Sequence, residues 1–236
     1  MQRPTPIFIV TSSRPRVGKT LIARALIEYF CVQNRPVSAF DVNPDEFTLL
    51  DFLPAFAAAA SIRDTRGEMA LFDQLVMGDE MPKVVDLGHT MFEHFFSVMQ
   101  QVDFAAEARR RLVIPTVLFV ADPDDRAQQG YAMLSARFPG LALVPILNEA
   151  VPRITRHRDK FPPSRRGGAP VSIPVLSAVL RSVVDRPGFS FMAYAAKTTD
   201  PTAVGLDRAV ATLTEGPGAA GDLRFDTRET TLARDQ

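Results

Sequence analysis

The chain has 236 residues, 46% of them hydrophobic and 23% charged, which suits one medium-sized globular domain and excludes an intrinsically disordered chain. Basic and acidic side chains number 27 each, so no global field draws the protein to nucleic acid or an anionic membrane, and any such contact needs a local patch. A single cysteine, Cys31, excludes an intrachain disulfide and a cysteine-built zinc site, and the opening apolar run Ile7 to Val10 is too short for a signal-peptide core or a membrane span, so a reducing, cytoplasmic location is expected.

Taken in order, the chain alternates short apolar runs with longer stretches of helical spacing. Ile7 to Val10 reads as the first strand. Leu21, Ile22, Ala25, Leu26, Tyr29 and Phe30 then form one apolar helix face, with Cys31 beside it as a small packed residue rather than a reactive thiol. Val37 to Asp41 is the second strand, followed by a helix over Gly67 to Val76, a strand over Lys83 to Leu87 and a helix over Thr90 to Arg111. Thr116 to Ala121 and Leu141 to Leu147 are strands on either side of a helix over Asp125 to Arg137; Pro174 to Val184 and Thr202 to Leu213 are the last helices. Strands that are nearly continuous apolar runs, separated by helices, predict an α/β fold: a doubly wound, mostly parallel sheet with helices on both faces. Arg153 to Ala169 is rich in arginine, proline and glycine and reads as an exposed basic loop. The domain is expected to span 1–214, with a flexible polar tail over 215–236.

The chemistry concentrates at the first strand–helix junction. IFIVTSSRPRVGKTLIARAL is a strand, a polar loop and a helix that opens at Gly18-Lys19-Thr20. Backbone amides of such a loop converge on one spot, where the partial positive charge of the helix end favours a phosphate. Gly18 lets the backbone approach the phosphate, Lys19 brings a mobile charge to the β- and γ-phosphates, and the Thr20 hydroxyl can ligate Mg²⁺. The expected cradle is Ser13, Arg14, Arg16, Val17, Gly18, Lys19, Thr20 and Leu21, with Ser13 where the usual P-loop pattern has its first glycine.

Four separated segments then resemble the ParA/MinD-like family of deviant Walker A ATPases, in the SIMIBI class of P-loop NTPases. Arg14-Pro15-Arg16-Val17-Gly18-Lys19-Thr20 is similar to the family's K-G-G-V-G-K-T loop, and Asp41-Val42-Asn43-Pro44 to its D-x-D-P. KVVDLGHT looks like its Walker B strand, with Asp86 on the metal side, and VPILNEA like the strand that delivers an adenine-contacting asparagine, here Asn148. The resemblance implies an ATP- and Mg²⁺-binding switch that dimerises around ATP, is stimulated by a protein partner and positions or partitions a cargo of DNA or protein. Lys19, Asp41 and Asn43 take the catalytic positions, and Thr20 and Asp86 the metal positions.

The departures bear on turnover. Arg14 stands where the family has the lysine that reaches across the dimer; it keeps the charge in a planar fork. Pro15 and Arg16 replace two glycines, removing one amide donor and narrowing the loop's conformations. Asn43 replaces the carboxylate that helps to activate water, and an amide cannot take a proton, so hydrolysis is expected to be slow, with Asp41 as a partial substitute. Two alternatives stay open: a non-hydrolysing nucleotide-binding scaffold, and a dethiobiotin-synthetase-like ATP-dependent ligase, which the V-T-S-S…V-G-K-T loop also resembles.

Two loops are candidates for reading the γ-phosphate, Asn43 to Leu50 and Gly88 to Phe92. The basic loop is the one patch suited to nonspecific DNA, with Phe161 its only aromatic residue, and a solvated loop is the competing reading. The tail lacks an amphipathic membrane helix, so no membrane contact is expected. His89, His94 and His157 show no metal-ligand spacing and are read as structural or exposed.

Overall fold

The computed structural model describes residues 3–43, 48–164, 166–186, 188–195, 197 and 200–214. Seven strands, β1 (Thr5–Thr11), β2 (Ser38–Val42), β3 (Ala57–Ala59), β4 (Lys83–Leu87), β5 (Val113–Val120), β6 (Ala142–Asn148) and β7 (Val171–Ile173), form one sheet. Its order is β3-β2-β4-β1-β5-β6-β7, and every pairing is parallel. Helices α1 (Lys19–Val32), α2 (Thr48–Phe52), α3 (Thr65–Leu75), α4 (Phe92–Gln101), α5 (Phe104–Arg110), α6 (Asp125–Arg137), α7 (Ala178–Val184), α8 (Phe191–Ala195) and α9 (Pro201–Thr214) pack around it. All five strands expected from the sequence are present. β4 is buried along its whole length, and β1 and β6 at all but one position each, as strands covered on both sides must be.

The helices gather into two groups. α1 carries Ile22, Leu26, Ile27 and Phe30 into the core and packs against α8 and α9. Cys31 beside this face is half-buried, and desolvation pushes its thiol pKa up, which suits packing rather than nucleophilic chemistry. The other group is joined through aromatic rings: Phe72 of α3 meets Phe95 and Phe104, and Phe92 of α4 meets Phe96 and Phe119. Phe119 of β5 in turn contacts Tyr131 of α6 and Phe161.

Some elements differ from expectation. The single helix expected over Thr90 to Arg111 is two, broken at Asp103, whose φ of 45° is left-handed. Phe92, Phe96 and Met99 face the core, so one continuous helix would carry Asp103 inward next; the left-handed residue instead turns Phe104 into that position. The helix expected from Pro174 starts at Ala178, where the Ser177 hydroxyl accepts from the Leu180 amide at 3.1 Å, because β7 runs up to Ile173. The segment read as a basic loop contains a 3-10 turn, Ile154–Lys160, held by buried Ile154 and Phe161. β3, β7, α2 and α8 were not expected. Arg165, the residues 44–47 of the first candidate loop and the whole tail 215–236 lie outside the described residues.

Candidate functional site

β1 leaves the sheet between β4 and β5, with β2 reached on one side and β6 on the other, so the chain after Thr11 enters the crevice at the switch point of the sheet. Register places the other chemistry at the same edge. Asp41 of β2 lies opposite Asp86 of β4, and Asp86 lies opposite Val10 of β1. Three strand ends therefore bring the loop and two carboxylates together, although 45 positions separate Asp41 from Asp86 in sequence.

The loop itself is shaped by two left-handed residues, Arg16 at φ 58° and Gly18 at φ 99°. Gly18 precedes α1 and supplies no side-chain cap, and the positive end of a helix that starts in this way favours an anion. A Cβ on Gly18 would stand 2.5 Å from Asn148 Nδ2, so both the dihedral and the space demand glycine. Gly18→Ala is expected to cost about 2 kcal/mol or more, the left-handed penalty plus displacement of Asn148. Thermal unfolding checks this as a fall in Tm of several degrees, at roughly 2–4 °C per kcal/mol for a domain of this size.

Each expected cradle residue has a definite place. Ser13 Oγ donates to the Arg126 carbonyl at 2.9 Å and packs so closely on Gly130 that a Cβ there would meet it at 2.9 Å, stitching the loop to α6. The Arg14 guanidinium lies 3.6 Å from Asp124, which also caps α6 by accepting from the Arg126 amide. Arg16 is exposed, Val17 is buried and Leu21 is half-buried against the core. Lys19 is buried and donates from Nζ to the Arg14 carbonyl at 2.9 Å. Burial lowers its pKa, and the Asp86 carboxylate opposes that shift.

Asn148 is buried beneath the loop, donating from Nδ2 to the Val17 carbonyl at 2.8 Å and accepting from the Ala150 amide at 3.1 Å. The nitrogen end of its amide thus braces the loop after β1 while the oxygen end holds the turn after β6, contacts the sequence did not suggest. Asp124 and Gly130 were also missed. Asp124 was legible as a helix cap in A-D-P-D-D-R, but its pairing with Arg14 spans the crevice and is a matter of tertiary structure.

The acidic end is more tightly connected. Thr20 Oγ1 donates to Asp86 Oδ2 at 2.6 Å, while Asp86 Oδ1 is buried and meets no donor among the described residues. Burial pushes the Asp86 carboxyl up to about 6, with the Asp41 carboxylate pushing the same way; the Thr20 hydroxyl and the Lys19 ammonium pull it down. Asp41 is fully buried, and both of its oxygens are engaged. Oδ1 accepts from Asn43 Nδ2 at 2.7 Å, and Oδ2 accepts from the Leu49 and Leu50 amides at 2.9 and 3.3 Å, at the start of α2. Asn43 Nδ2 also reaches the Asp86 carbonyl at 3.3 Å.

Two expectations lie elsewhere. His94 pairs with Glu68 at 2.7 Å, His157 Nδ1 lies 3.1 Å from the Arg153 carbonyl and His89 is exposed, so the histidines stand apart from this cluster. Arg153, Arg156, Arg158 and Lys160 are exposed, but Phe161 is fully buried between Phe119 and Tyr131 and offers no stacking surface. No helix among the described residues is long and apolar enough to cross a membrane.

No protein-family model matches the chain, and no curated protein matches it in sequence. Solved structures do match in shape. A chain of the MinC:MinD cell division protein complex of Aquifex aeolicus is 13% identical, with a TM-score of 0.50, over 89% of this chain and 96% of that one. A nucleotide-binding protein of Archaeoglobus fulgidus, solved in complex with ADP, is 14% identical over 76% of this chain and 86% of its own, with a TM-score of 0.47. The all-parallel sheet, the loop at its switch point and the likeness to the MinC:MinD complex agree: the chain has the fold of the ParA/MinD-like P-loop NTPases.

Proposed function

We propose that the protein is a nucleotide switch that binds Mg·ATP at the loop from Ser13 to Thr20. The observation that carries this reading is the buried Asp86 carboxylate, with one oxygen on Thr20 and the other without a donor among the described residues, next to a helix that starts at Gly18 with no side-chain cap from that residue. A buried, donor-poor carboxylate beside a hydroxyl suits a hard divalent cation, which prefers oxygen ligands. Thr20 would hold the ion directly and Asp86 through water, and the ion would neutralise phosphate charge. Lys19 would exchange the Arg14 carbonyl for phosphate oxygens. Isothermal titration with ATP, with Mg²⁺ or with EDTA, tests the reading. Binding is expected only with the metal, and no heat in either condition would refute it.

Turnover is slow on this reading. Both Asp41 oxygens already accept hydrogen bonds that hold it to Asn43 and to the start of α2, and Asn43 donates its amide hydrogens to acceptors already in place. The same contacts favour a second reading, a switch that binds nucleotide without hydrolysing it, and release of inorganic phosphate over hours separates the two.

The switch would act as a dimer around ATP, working with a partner that stimulates turnover and positioning or partitioning a cargo, DNA or a protein assembly. Arg14 would be the residue that crosses the dimer; within one chain it faces Asp124, a half-exposed pair worth under about 1 kcal/mol. Light scattering after size exclusion is expected to give a dimer mass with ATP and a monomer mass with ADP. Arg14→Ala is expected to abolish the dimer, and Asp124→Asn to strengthen it by roughly up to fivefold, the worth of the pair released. Equal masses in every condition would remove the dimer from the proposal.

A further inference from the structure

The far end of α1, away from the phosphate loop, forms one wall of a second concavity. Its last two turns enclose a pocket of about 310 Å³ together with Phe52 and Phe56, at the end of α2 and beyond it, and with Gly188 to Ser190, just before α8. That volume falls at the lower end of small-molecule sites, about 300–1,000 Å³. Among the described residues one charged side chain lines it. Glu28 is 6% exposed and its Oε2 accepts from the Ser190 hydroxyl at 2.5 Å, while Ser190 Oγ accepts from the Ala193 amide at 3.1 Å in α8. Three aromatic rings, those of Phe52, Phe56 and Phe189, supply much of the remaining wall. Phe189 is held from behind by Phe191 and Tyr194, at 5.1 and 5.8 Å between ring centres, and Phe56 stands at the rim, 43% exposed. The Arg24 guanidinium lies 3.7 Å from the centre of the Phe52 ring, where it opposes a second cation. Glu28 and Asp185 both attract it, so Arg24 does not by itself cancel the charge of Glu28.

We propose that this pocket binds a small quaternary ammonium ion, with the cation beside Glu28 and against the rings of Phe56 and Phe189. Aromatic faces attract a cation through their quadrupole, and the attraction grows where water is excluded. The buried carboxylate supplies the opposite charge that an ion needs on leaving water. The number of acceptors selects the kind of ammonium. Apart from Glu28 and Ser190, which already bond to each other, the side chains of the wall are apolar or, at Cys31, a thiol. A primary ammonium would bring three N–H donors to such a wall, whereas a quaternary one brings none. The volume admits an ion with a short apolar or hydroxylated arm, and the exposed Phe56 gives it a way in. None of these residues belongs to the phosphate cradle, so the proposal stands apart from the nucleotide reading.

The chain carries its own reporter, because Cys31 lines the same pocket and is the single cysteine. The test measures alkylation of Cys31 by iodoacetamide in the full chain at about pH 9, where a thiol raised by burial still ionises in part. Choline chloride is titrated against potassium chloride at constant ionic strength, and 3,3-dimethylbutan-1-ol serves as the neutral molecule of the same shape. Choline is expected to slow alkylation saturably, roughly 10-fold at ten times its Kd, and the alcohol to leave the rate unchanged. Glu28→Gln keeps an acceptor for Ser190 and loses the charge, so choline should bind it about 10-fold more weakly or worse. Phe56→Ala should weaken choline about 3-fold or more, and because Phe56 is exposed, this variant carries the test if Glu28→Gln fails to fold. Equal protection by the neutral alcohol, or unchanged choline affinity in a folded Glu28→Gln, would reduce the pocket to an apolar groove and overturn the proposal. Absence of protection by choline at about 50 mM would overturn it as well.

Discussion

Replacing Asp86 with asparagine is expected to stabilise the ligand-free protein at pH 7 and to remove the Mg²⁺ dependence of nucleotide binding. The carboxyl is fully buried and is pushed up to about 6, so at neutral pH the fold carries an ionised group that it would rather hold protonated. A raised carboxyl pKa means that the native state binds a proton more tightly than the unfolded state between about pH 4 and pH 6. Stability from this group is therefore present at the acid end of that window and is lost as pH rises through it, by up to about 3 kcal/mol. Asparagine keeps an oxygen for the Thr20 hydroxyl and carries no charge; its buried NH₂ takes back part of the gain, leaving roughly 1–2 kcal/mol at pH 7. Thermal melts from pH 4 to pH 8 check the sign: the variant should melt higher at pH 7 and lower at pH 4, where only the cost of its NH₂ remains, so the two curves should cross. Parallel melting curves over the whole range would show that Asp86 is not the group whose ionisation opposes folding. In the same variant, ATP affinity should no longer respond to EDTA.

The stress at Asp86 also explains how much of the site could be read from sequence. The loop was legible because it is local: strand, polar turn and helix start lie within sixteen residues, Thr5 to Thr20, and each reports its own preference. Asp86 and Asp41 were legible as strand-end carboxylates, while their adjacency depends on β2 and β4 being neighbours in the sheet, which no local pattern encodes. Asn148 was placed on the right strand, but nothing in the sequence showed that its amide braces Val17 and leaves no room for a side chain at Gly18. That contact spans 131 positions and depends on how β6 stands beside β1 through β5.

The fold shows the same division. Strands covered along nearly all their length, such as β4 and β6, were visible as apolar runs, but β3 is three alanines in a sequence that by itself favours helix. Only the open edge of β2, with Ala57 opposite Ala39, turns those residues into a strand. The break at Asp103 was hidden for a related reason. Helical spacing continues through it on either side, and the decisive signal was one acidic residue at a position where the periodic face required an apolar one.

Lys19→Ala is expected to remove nucleotide binding, by a factor of about 100 or more, while leaving the fold nearly as stable as before. The affinity loss follows from deleting a charged donor to two phosphates, at about 1.5–3 kcal/mol for each bond to a charged group. The small effect on stability follows from the opposing terms at this residue. Burial disfavours the ammonium, and its bond to the Arg14 carbonyl and its attraction to Asp86 offset that cost, so truncation removes a penalty along with its compensation. One further consequence separates this variant from Gly18→Ala, which damages the backbone shape of the cradle and lowers Tm together with affinity. Without the Lys19 charge, Asp86 loses one of the groups that pull its pKa down, so the acid-side gain in stability should begin at a higher pH than in the wild type. Melts and titrations on the same samples give both answers. Wild-type ATP affinity in Lys19→Ala would mean that the phosphates are held elsewhere, and a collapse in Tm without nucleotide would mean that the ammonium serves the fold first.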